Sequence, residues 1–371
     1  MDDKENITFR FKEPLLICAA AKVFTWAVLI ICAALVWGMQ HFGITIKHTV
    51  INWDAIWYLK IAMEGYSEPR KMVFFPLFPA FIKLFSFVIR DPAWAALAAA
   101  NLFGFTAAVS LYNLALKNFN KTTAAAACLI FFAAPTALFF TSAYTEPLFL
   151  TLSCMFFMAL SGKKWLTAAV FAGAASCCRN TGALLAAVFV FEYFRSERDK
   201  PNFMRAAGYL LICVSGLAGY MVFLYLRTGD PLYFISVQGL WHDRARIVFP
   251  LSEYFRSVSG IFSGAIAFNE KGTILSAVYF TAALIFIYPA FRKIGAAQLL
   301  YYMAFVIFLS TQPSMMSFSR YLASIPQFWI IPAACISGEK PGKIPLFAVV
   351  LSLLAWQLVI DLRWIAGFWV A

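Results

Sequence analysis

Eleven apolar stretches, 12 to 23 residues long and divided by short basic or polar loops, leave this chain few ways to fold. They cover 15–36, 94–116, 123–141, 145–161, 165–178, 183–194, 206–226, 273–290, 297–311, 321–336 and 344–360. An apolar helix of about 20 residues crosses a hydrocarbon core about 30 Å thick, and only helices and closed barrels satisfy their own backbone polar groups there. The expected fold is therefore an all-α polytopic membrane protein with about 11 transmembrane helices. Stretches below about 15 residues cannot cross unaided, so paired half-helices or kinks are expected among them. The first stretch is long for a cleavable signal and no small-x-small site follows it before Trp37-Gly38-Met39, which predicts an uncleaved signal anchor.

Hydrophobic residues make up 62% of the chain and charged residues 13%, with no internal repeat or low-complexity tract, so residues 1–371 read as a single membrane domain. The formal charge of +12 does not point to nucleic acid, because Lys and Arg cluster beside apolar runs, where cytoplasmic retention and anionic headgroups explain them. Placing Arg10 and Lys12 inside also puts Lys117, Lys121, Lys163, Lys164, Arg195, Arg198, Lys200, Arg205, Arg292, Lys293, Lys340 and Lys343 inside. The outer side then holds loops 37–93 and 227–257, Ser142 to Glu146, Arg179 to Gly182, Gln312 to Arg320 and the C-terminus. Making 74–89 a full span would move Lys117 and Lys121 outside, so an interfacial helix that dips and returns is expected there. Lys22, inside the first stretch, is expected to snorkel to the inner interface. The eight cysteines mostly sit within apolar runs with no CxxC, which suits core filling.

Loop 37–93 contains Asn52-Trp53-Asp54-Ala55-Ile56-Trp57-Tyr58 and then Phe74-Phe75-Pro76-Leu77-Phe78-Pro79. Asn52 is placed to cap a helix with Asp54 at its second position, where a carboxylate suits the helix dipole. Helical spacing puts Asp54, Trp57, Tyr58, Ile61 and Gly65 on one side, so the acid lies along an aromatic stripe. Trp53, Trp57 and Tyr58 suit headgroup depth and would hold the helix flat on the bilayer. Pro76 and Pro79 fix the chain direction, with Pro79 in the first turn of the next helix. Capping, a structural ion pair and catalysis all remain open for Asp54 on these grounds.

The run WDAIWYLKIAMEGY (53–66) followed by FFPLFP (74–79) closely resembles the first luminal loop of the PIG-V family, the second mannosyltransferase of GPI-anchor assembly, and its prokaryotic relatives. Three later stretches agree in order. Ala143-Tyr144-Thr145-Glu146-Pro147-Leu148-Phe149 resembles the family's A-x-Y-S-E-x-L-F, Arg179-Asn180-Thr181-Gly182 its R-S-N-G with the asparagine one place earlier, and Ser319-Arg320-Tyr321-Leu322 its late R-Y motif. The resemblance implies a GT-C type fold with interfacial helices in the outer catalytic loop 37–93. It also implies an inverting transfer of a hexose, mannose foremost, from a polyprenyl-phosphate donor to a lipid or glycan acceptor. Asp54 is then the candidate base, and Arg179 and Arg320 the candidate partners of the donor phosphate. Trp53, Trp57, Tyr58, Phe75, Pro76, Tyr144, Glu146, Asn180 and Tyr321 are the candidate substrate pocket.

Several residues admit plainer readings. Glu146, ahead of Pro147 in a helix's first turn, is placed equally for the helix dipole and for acceptor or metal binding. Arg179 breaks two short apolar helices, and a cation at membrane depth usually marks a site or an ion pair. Asp230, Gln238, Trp241, His242, Asp243, Arg244 and Arg246 form no metal signature; a solvated loop is the plainer account of them, with contact to phosphate or lipid headgroups the alternative for Arg244 and Arg246. No metal or cofactor is expected. His41, His48 and His242 all fall on the outer side, and no His lies in a span, which disfavours acyl transfer. A lipid-linked sugar flippase is the alternative reading. Transporters, however, place ionisable groups near the bilayer midplane, and here the acids sit at outer ends and in loops. A bacterial or archaeal plasma membrane is expected, with the active site on the outer face.

Overall fold

The computed structural model describes residues 9–37, 47, 49–199, 201–241, 246–266, 272–337 and 345–371, and every regular element among them is helical. In chain order the helices are α1 (Lys12–Trp37), α2 (Asp54–Glu64), α3 (Leu77–Ser86), α4 (Pro92–Asn118), α5 (Lys121–Ala133), α6 (Glu146–Ser161), α7 (Trp165–Cys178), α8 (Leu184–Ser196) and α9 (Phe203–Thr228). They continue as α10 (Tyr233–Ser236), α11 (Ser252–Phe262), α12 (Thr273–Ile285), α13 (Ile287–Lys293), α14 (Ala296–Ser310), α15 (Phe318–Ala323), α16 (Gln327–Ile336) and α17 (Leu346–Ile365). Short 3-10 turns at Pro69–Val73, Pro135–Phe140, Asn180–Ala183 and Val237–Trp241 join them.

All eleven apolar stretches are largely helical, but they are not eleven full-length spans. Among the described residues α1, α4, α9 and α17 are long and apolar enough to cross a membrane, and α12 with α13, bent by 43°, makes a fifth if counted as one. The remaining stretches are shorter because the chain breaks at Pro135, Arg179 and Thr311–Ser317 and turns back on the protein. The backbone groups freed at these breaks are held internally, as membrane depth demands. Tyr144 N–H reaches the Ser142 carbonyl, Gly182 N–H the Arg179 carbonyl, and Gln312 N–H the Leu309 carbonyl. Helix α3, at ten residues, extends about 15 Å and is too short to cross alone.

Capping side chains start the long helices where the sequence changes from polar to apolar. Asp91 Oδ1 accepts from Ala93 N–H at 2.9 Å ahead of Pro92 in α4, and Asn202 accepts from Arg205 N–H at 2.9 Å in α9. Lys47 pairs with Asp91, and the hydrogen bond from that lysine holds the aspartate below the usual carboxylate range. Helix α4 is the central column, with 61% of its apolar window inside the protein against 17% for α9 and for α17, whose outer faces remain for lipid. Helices α1, α3, α5 and α6 pack against it, and α16 packs on α5.

Helix α1 contains a surprise at Lys22. Its ammonium does not snorkel: Lys22 is 5% exposed and donates to the Phe140 carbonyl and, at 3.2 Å, to Thr141 Oγ1. The amine therefore ties α1 to the end of the Pro135–Phe140 turn. A lysine surrounded by protein finds carbonyl dipoles closer than the distant interface, which ends the advantage of reaching for water. Asp361, one residue past the expected end of the last span, lies within α17 and is fully buried beside Gln357. An acid thus sits inside a span, against the expectation that all of them lie in loops and at helix ends.

Helices α7 and α9 approach closely through glycine. A Cβ on Gly216 would lie 2.3 Å from the Gly173 carbonyl and 2.5 Å from Cys177 N, both backbone atoms that cannot step aside. Gly219, nearly one turn further along, would meet nothing within 4 Å. Gly216→Ala is expected to destabilise the protein by about 1–3 kcal/mol through this overlap, whereas Gly219→Ala should leave it unchanged or slightly firmer. Melting followed by tryptophan fluorescence in detergent checks this, and equal melting of both variants would contradict the packing described.

Candidate active site

Four charged side chains from four distant parts of the chain converge behind one cavity. Asp54 is the first residue of α2, Glu146 the first of α6, Arg179 follows α7, and Arg320 lies in α15. Arg320 Nη1 donates to Asp54 Oδ2 at 2.7 Å, and Arg320 Nε donates to Glu146 Oε1 at 2.8 Å. Arg179 Nη1 reaches the same Glu146 oxygen at 3.0 Å. Two acids and two guanidiniums cancel in formal charge, which lets Glu146 and the two arginines stand almost wholly inside the protein. Asp54 alone is accessible: its side chain is 26% exposed, against 0% for Glu146, 8% for Arg179 and 4% for Arg320.

The local backbone is built for this convergence. Trp53 and Ser317, the residues before α2 and α15, both take positive φ, 54° and 73°, which L side chains rarely adopt. Each strained residue turns the chain so that its helix presents a charged side chain to the cluster. Asn52 does not cap α2; its Oδ1 accepts from Trp53 N–H at 2.9 Å, and Asp54 stands at the first helical position, not the second. The Tyr144 hydroxyl donates to the Asn52 carbonyl at 3.1 Å, which ties the start of α2 to the segment before Glu146. The buried face of α2 runs through Ala55, Tyr58, Ile61 and Ala62, leaving Asp54 and Trp57 at its edge.

Aromatic rings replace water around the guanidiniums. The Arg320 guanidinium carbon lies 4.8 Å from the Tyr144 ring centre and 5.2 Å from those of Phe139 and Trp369, and that of Arg179 lies 4.4 Å from the Tyr321 ring. Such contacts hold a cation by the negative ring face while leaving its N–H groups free to donate.

In front of the cluster is a cavity of about 130 Å³. Of the candidate residues, Asp54, Tyr58, Phe75, Arg179, Asn180, Arg320 and Tyr321 line it. Tyr144 and Glu146 do not: they are fully buried and form the layer that holds the arginines. Trp53, Trp57 and Pro76 do not line it either. Trp53 packs edge-on against Trp369 at 5.6 Å, Trp57 stacks on Phe74, and Pro76 starts α3. Phe234, Gln238, Met316, Ser317 and Trp369 line the cavity without having been singled out as pocket residues. Trp369 lies outside every motif and far along the chain, so only its packing on Trp53 and Trp364 reveals it.

The roof is the loop between α2 and α3. Tyr220 of α9 donates to the Met72 carbonyl at 2.9 Å, the Tyr66 hydroxyl to the Phe74 carbonyl at 2.8 Å, and Phe75 packs on Tyr220 and Phe234. Lys71, fully buried, donates to Glu64 Oε2 at 2.6 Å and Ser67 Oγ at 2.7 Å. The hydrogen bond from Lys71 holds the Glu64 carboxyl below its ordinary range. Opposite, Asp230 caps its own turn through Leu232 N–H at 2.8 Å, and Arg246 is exposed. His41, His48, His242, Asp243 and Arg244 lie outside the described residues, and no three potential metal ligands cluster among the described ones.

Glu146→Gln would leave two sealed guanidiniums sharing one acid, a defect expected to cost about 3–5 kcal/mol. Asp54→Asn removes a partly solvated charge and should cost much less. A clearly lower melting temperature for Glu146→Gln than for Asp54→Asn is the expected outcome; the reverse order would contradict the burial assigned to these carboxylates.

Comparison with known proteins adds to this geometry. Over 95–96% of its length the chain superposes on 75–76% of ArnT from Cupriavidus metallidurans, at TM-score 0.54 and 12% identity for the crystal structure bound to undecaprenyl phosphate, and 0.52 and 14% for the apo state. At such identity the likeness is one of fold, that of the GT-C membrane glycosyltransferases. GPI mannosyltransferase 2 of Cryptococcus neoformans var. neoformans, in strains JEC21 and B-3501A, is 30% identical over 145 residues, 36% of this chain and 34% of the relative. The chain thus matches about a third of the length of these curated relatives. The family model described as Mannosyltransferase (PIG-V) matches residues 40–196, which hold Asp54, Glu146 and Arg179. Over that stretch, less than half of its length, the chain is similar to the PIG-V mannosyltransferase family.

Proposed function

We propose that the protein is an inverting membrane glycosyltransferase that moves a hexose, mannose foremost, from a polyprenyl-phosphate donor to an extracytoplasmic lipid or glycan acceptor. The observation that carries this reading is the pairing, in one cavity, of an accessible carboxylate with two anchored guanidiniums: Asp54 with Arg320 and Arg179. Undecaprenyl phosphate bound to the fold-related ArnT supports a lipid-phosphate donor, and the family match supports mannose. The outer face is the side that the basic loops assign to this cavity.

In the proposed reaction the donor's phosphodiester, one negative charge, approaches Arg320 and Arg179. Arg320 then exchanges Asp54 for a phosphate oxygen, a bidentate partner of equal charge. Asp54, released, accepts the proton of the acceptor hydroxyl as that oxygen attacks the anomeric carbon from the face opposite the phosphate. The bond from the anomeric carbon to the phosphate oxygen breaks and its electron pair leaves with the polyprenyl phosphate. The charge lost by Asp54 on protonation reappears on that phosphate, where the guanidiniums meet it. Glu146, fixed between both arginines, takes no proton and keeps them in place.

Purified protein given radiolabelled mannosyl-phosphoundecaprenol and membranes as acceptor should form labelled glycoside, and Asp54→Asn should lower the rate at least about 100-fold, the scale of general-base catalysis. Undiminished transfer by the variant would remove Asp54 as base. Movement of the labelled lipid between leaflets with no new glycosidic bond would favour a flippase.

A further inference from the structure

A second chamber of about 30 Å³ opens beside the first, and the two share Asn180, Gln238, Met316 and Tyr321 as a common wall. Their chemistry differs sharply. The first is lined by Asp54, Arg179 and Arg320, whereas no charged side chain lines the second. Its polar groups are the amides of Asn180, Gln238 and Gln312 and the Ser314 and Tyr321 hydroxyls, set among Phe308 and Phe318. We propose that this second chamber is the subsite that grips the hydroxyl edge of the donor's hexose, with the ring seated at the shared wall between Tyr321 and the amides of Asn180 and Gln238. This rests on the glycosyltransferase reading above.

Three observations lead there. The amides on the shared wall have unused capacity: Asn180 Oδ1 accepts from Thr181 N–H at 2.8 Å, but its NH₂ group, and the whole Gln238 amide among the described residues, have no protein partner. Gln312 spends its NH₂ on the Phe308 carbonyl at 3.1 Å and leaves its oxygen to accept. Groups that both donate and accept match a polyol, and they lack the positive charge that would favour a phosphate or a carboxylate. Next, the chamber is too small for a free sugar but sized for hydroxyls projecting from a ring at its mouth. Finally, Arg179 and Asn180 are consecutive, and the Arg179 guanidinium lies 4.4 Å from the Tyr321 ring that forms part of the wall. A phosphate held by Arg179 is therefore one glycosidic oxygen from a ring at that wall, while Asp54 stays on the side open to the acceptor.

The test separates sugar from phosphate. Binding of mannosyl-phosphoundecaprenol and of bare undecaprenyl phosphate is measured on the full chain in nanodiscs for wild type, Gln238→Leu and Gln312→Leu, with melting temperatures as a check of folding. Each variant should weaken the mannosylated lipid about tenfold, the loss of roughly one buried hydrogen bond, and leave bare undecaprenyl phosphate within twofold. Equal weakening of both lipids, or no weakening of either, would overturn the assignment. The readout needs no turnover, so an absence of transferase activity would refute the proposed function without deciding this one. A variant that fails to fold is replaced by Gln238→Ala or Gln312→Ala, which removes the same donor and acceptor and should weaken the mannosylated lipid by a similar factor.

Discussion

A guanidinium sealed from water must find its counter-charge inside the protein, and Arg320 finds it in two carboxylates that lie 266 and 174 residues away in the chain. That requirement organises the site. Asp54 and Glu146 can meet one arginine only if the starts of α2 and α6 both come to α15. Because the four charges cancel, the cluster tolerates burial; because Asp54 keeps a partly open face, the cancellation can be undone by an incoming anion. The supporting contacts serve the same end. Lys22 holds the turn before Tyr144, Tyr144 holds the chain before Asp54, and Glu146 holds Arg179 to Arg320.

Much of the architecture was legible because membrane insertion simplifies the reading: apolar stretches must be helical, and among the described residues the eleven largely are. Their lengths misled, since a stretch such as 123–141 contains both a helix and the tight turn at Pro135–Phe140, with no polar residue to mark the change except Thr136. The reading of Lys22 failed for a related reason. Sequence supplies the side chain's length but not whether protein or lipid surrounds it, and here protein did.

At the site, Asp54 was legible as an acid on an aromatic stripe and Arg179 as a cation at membrane depth, while Arg320 was picked out by the resemblance of Ser319-Arg320-Tyr321-Leu322 to the family's R-Y motif. Glu146 and Tyr144 were identified too, yet they stand behind the cavity wall and not in it, a distinction that depends on which face of a helix start points inward. Gln238 and Trp369 were beyond reach as pocket residues. An amide in a polar loop and a tryptophan at a membrane boundary each have commoner explanations, and only tertiary packing brings them to Asp54.

The account turns on Arg320 changing partners when a lipid phosphate arrives. A cryo-EM structure of the protein with undecaprenyl phosphate tests this directly. The phosphate should lie against Arg320 and Arg179 in the cavity, with the Asp54 carboxylate released from Arg320 and Glu146 still bound to both arginines. A phosphate held elsewhere, with the contact between Arg320 and Asp54 intact, would contradict it.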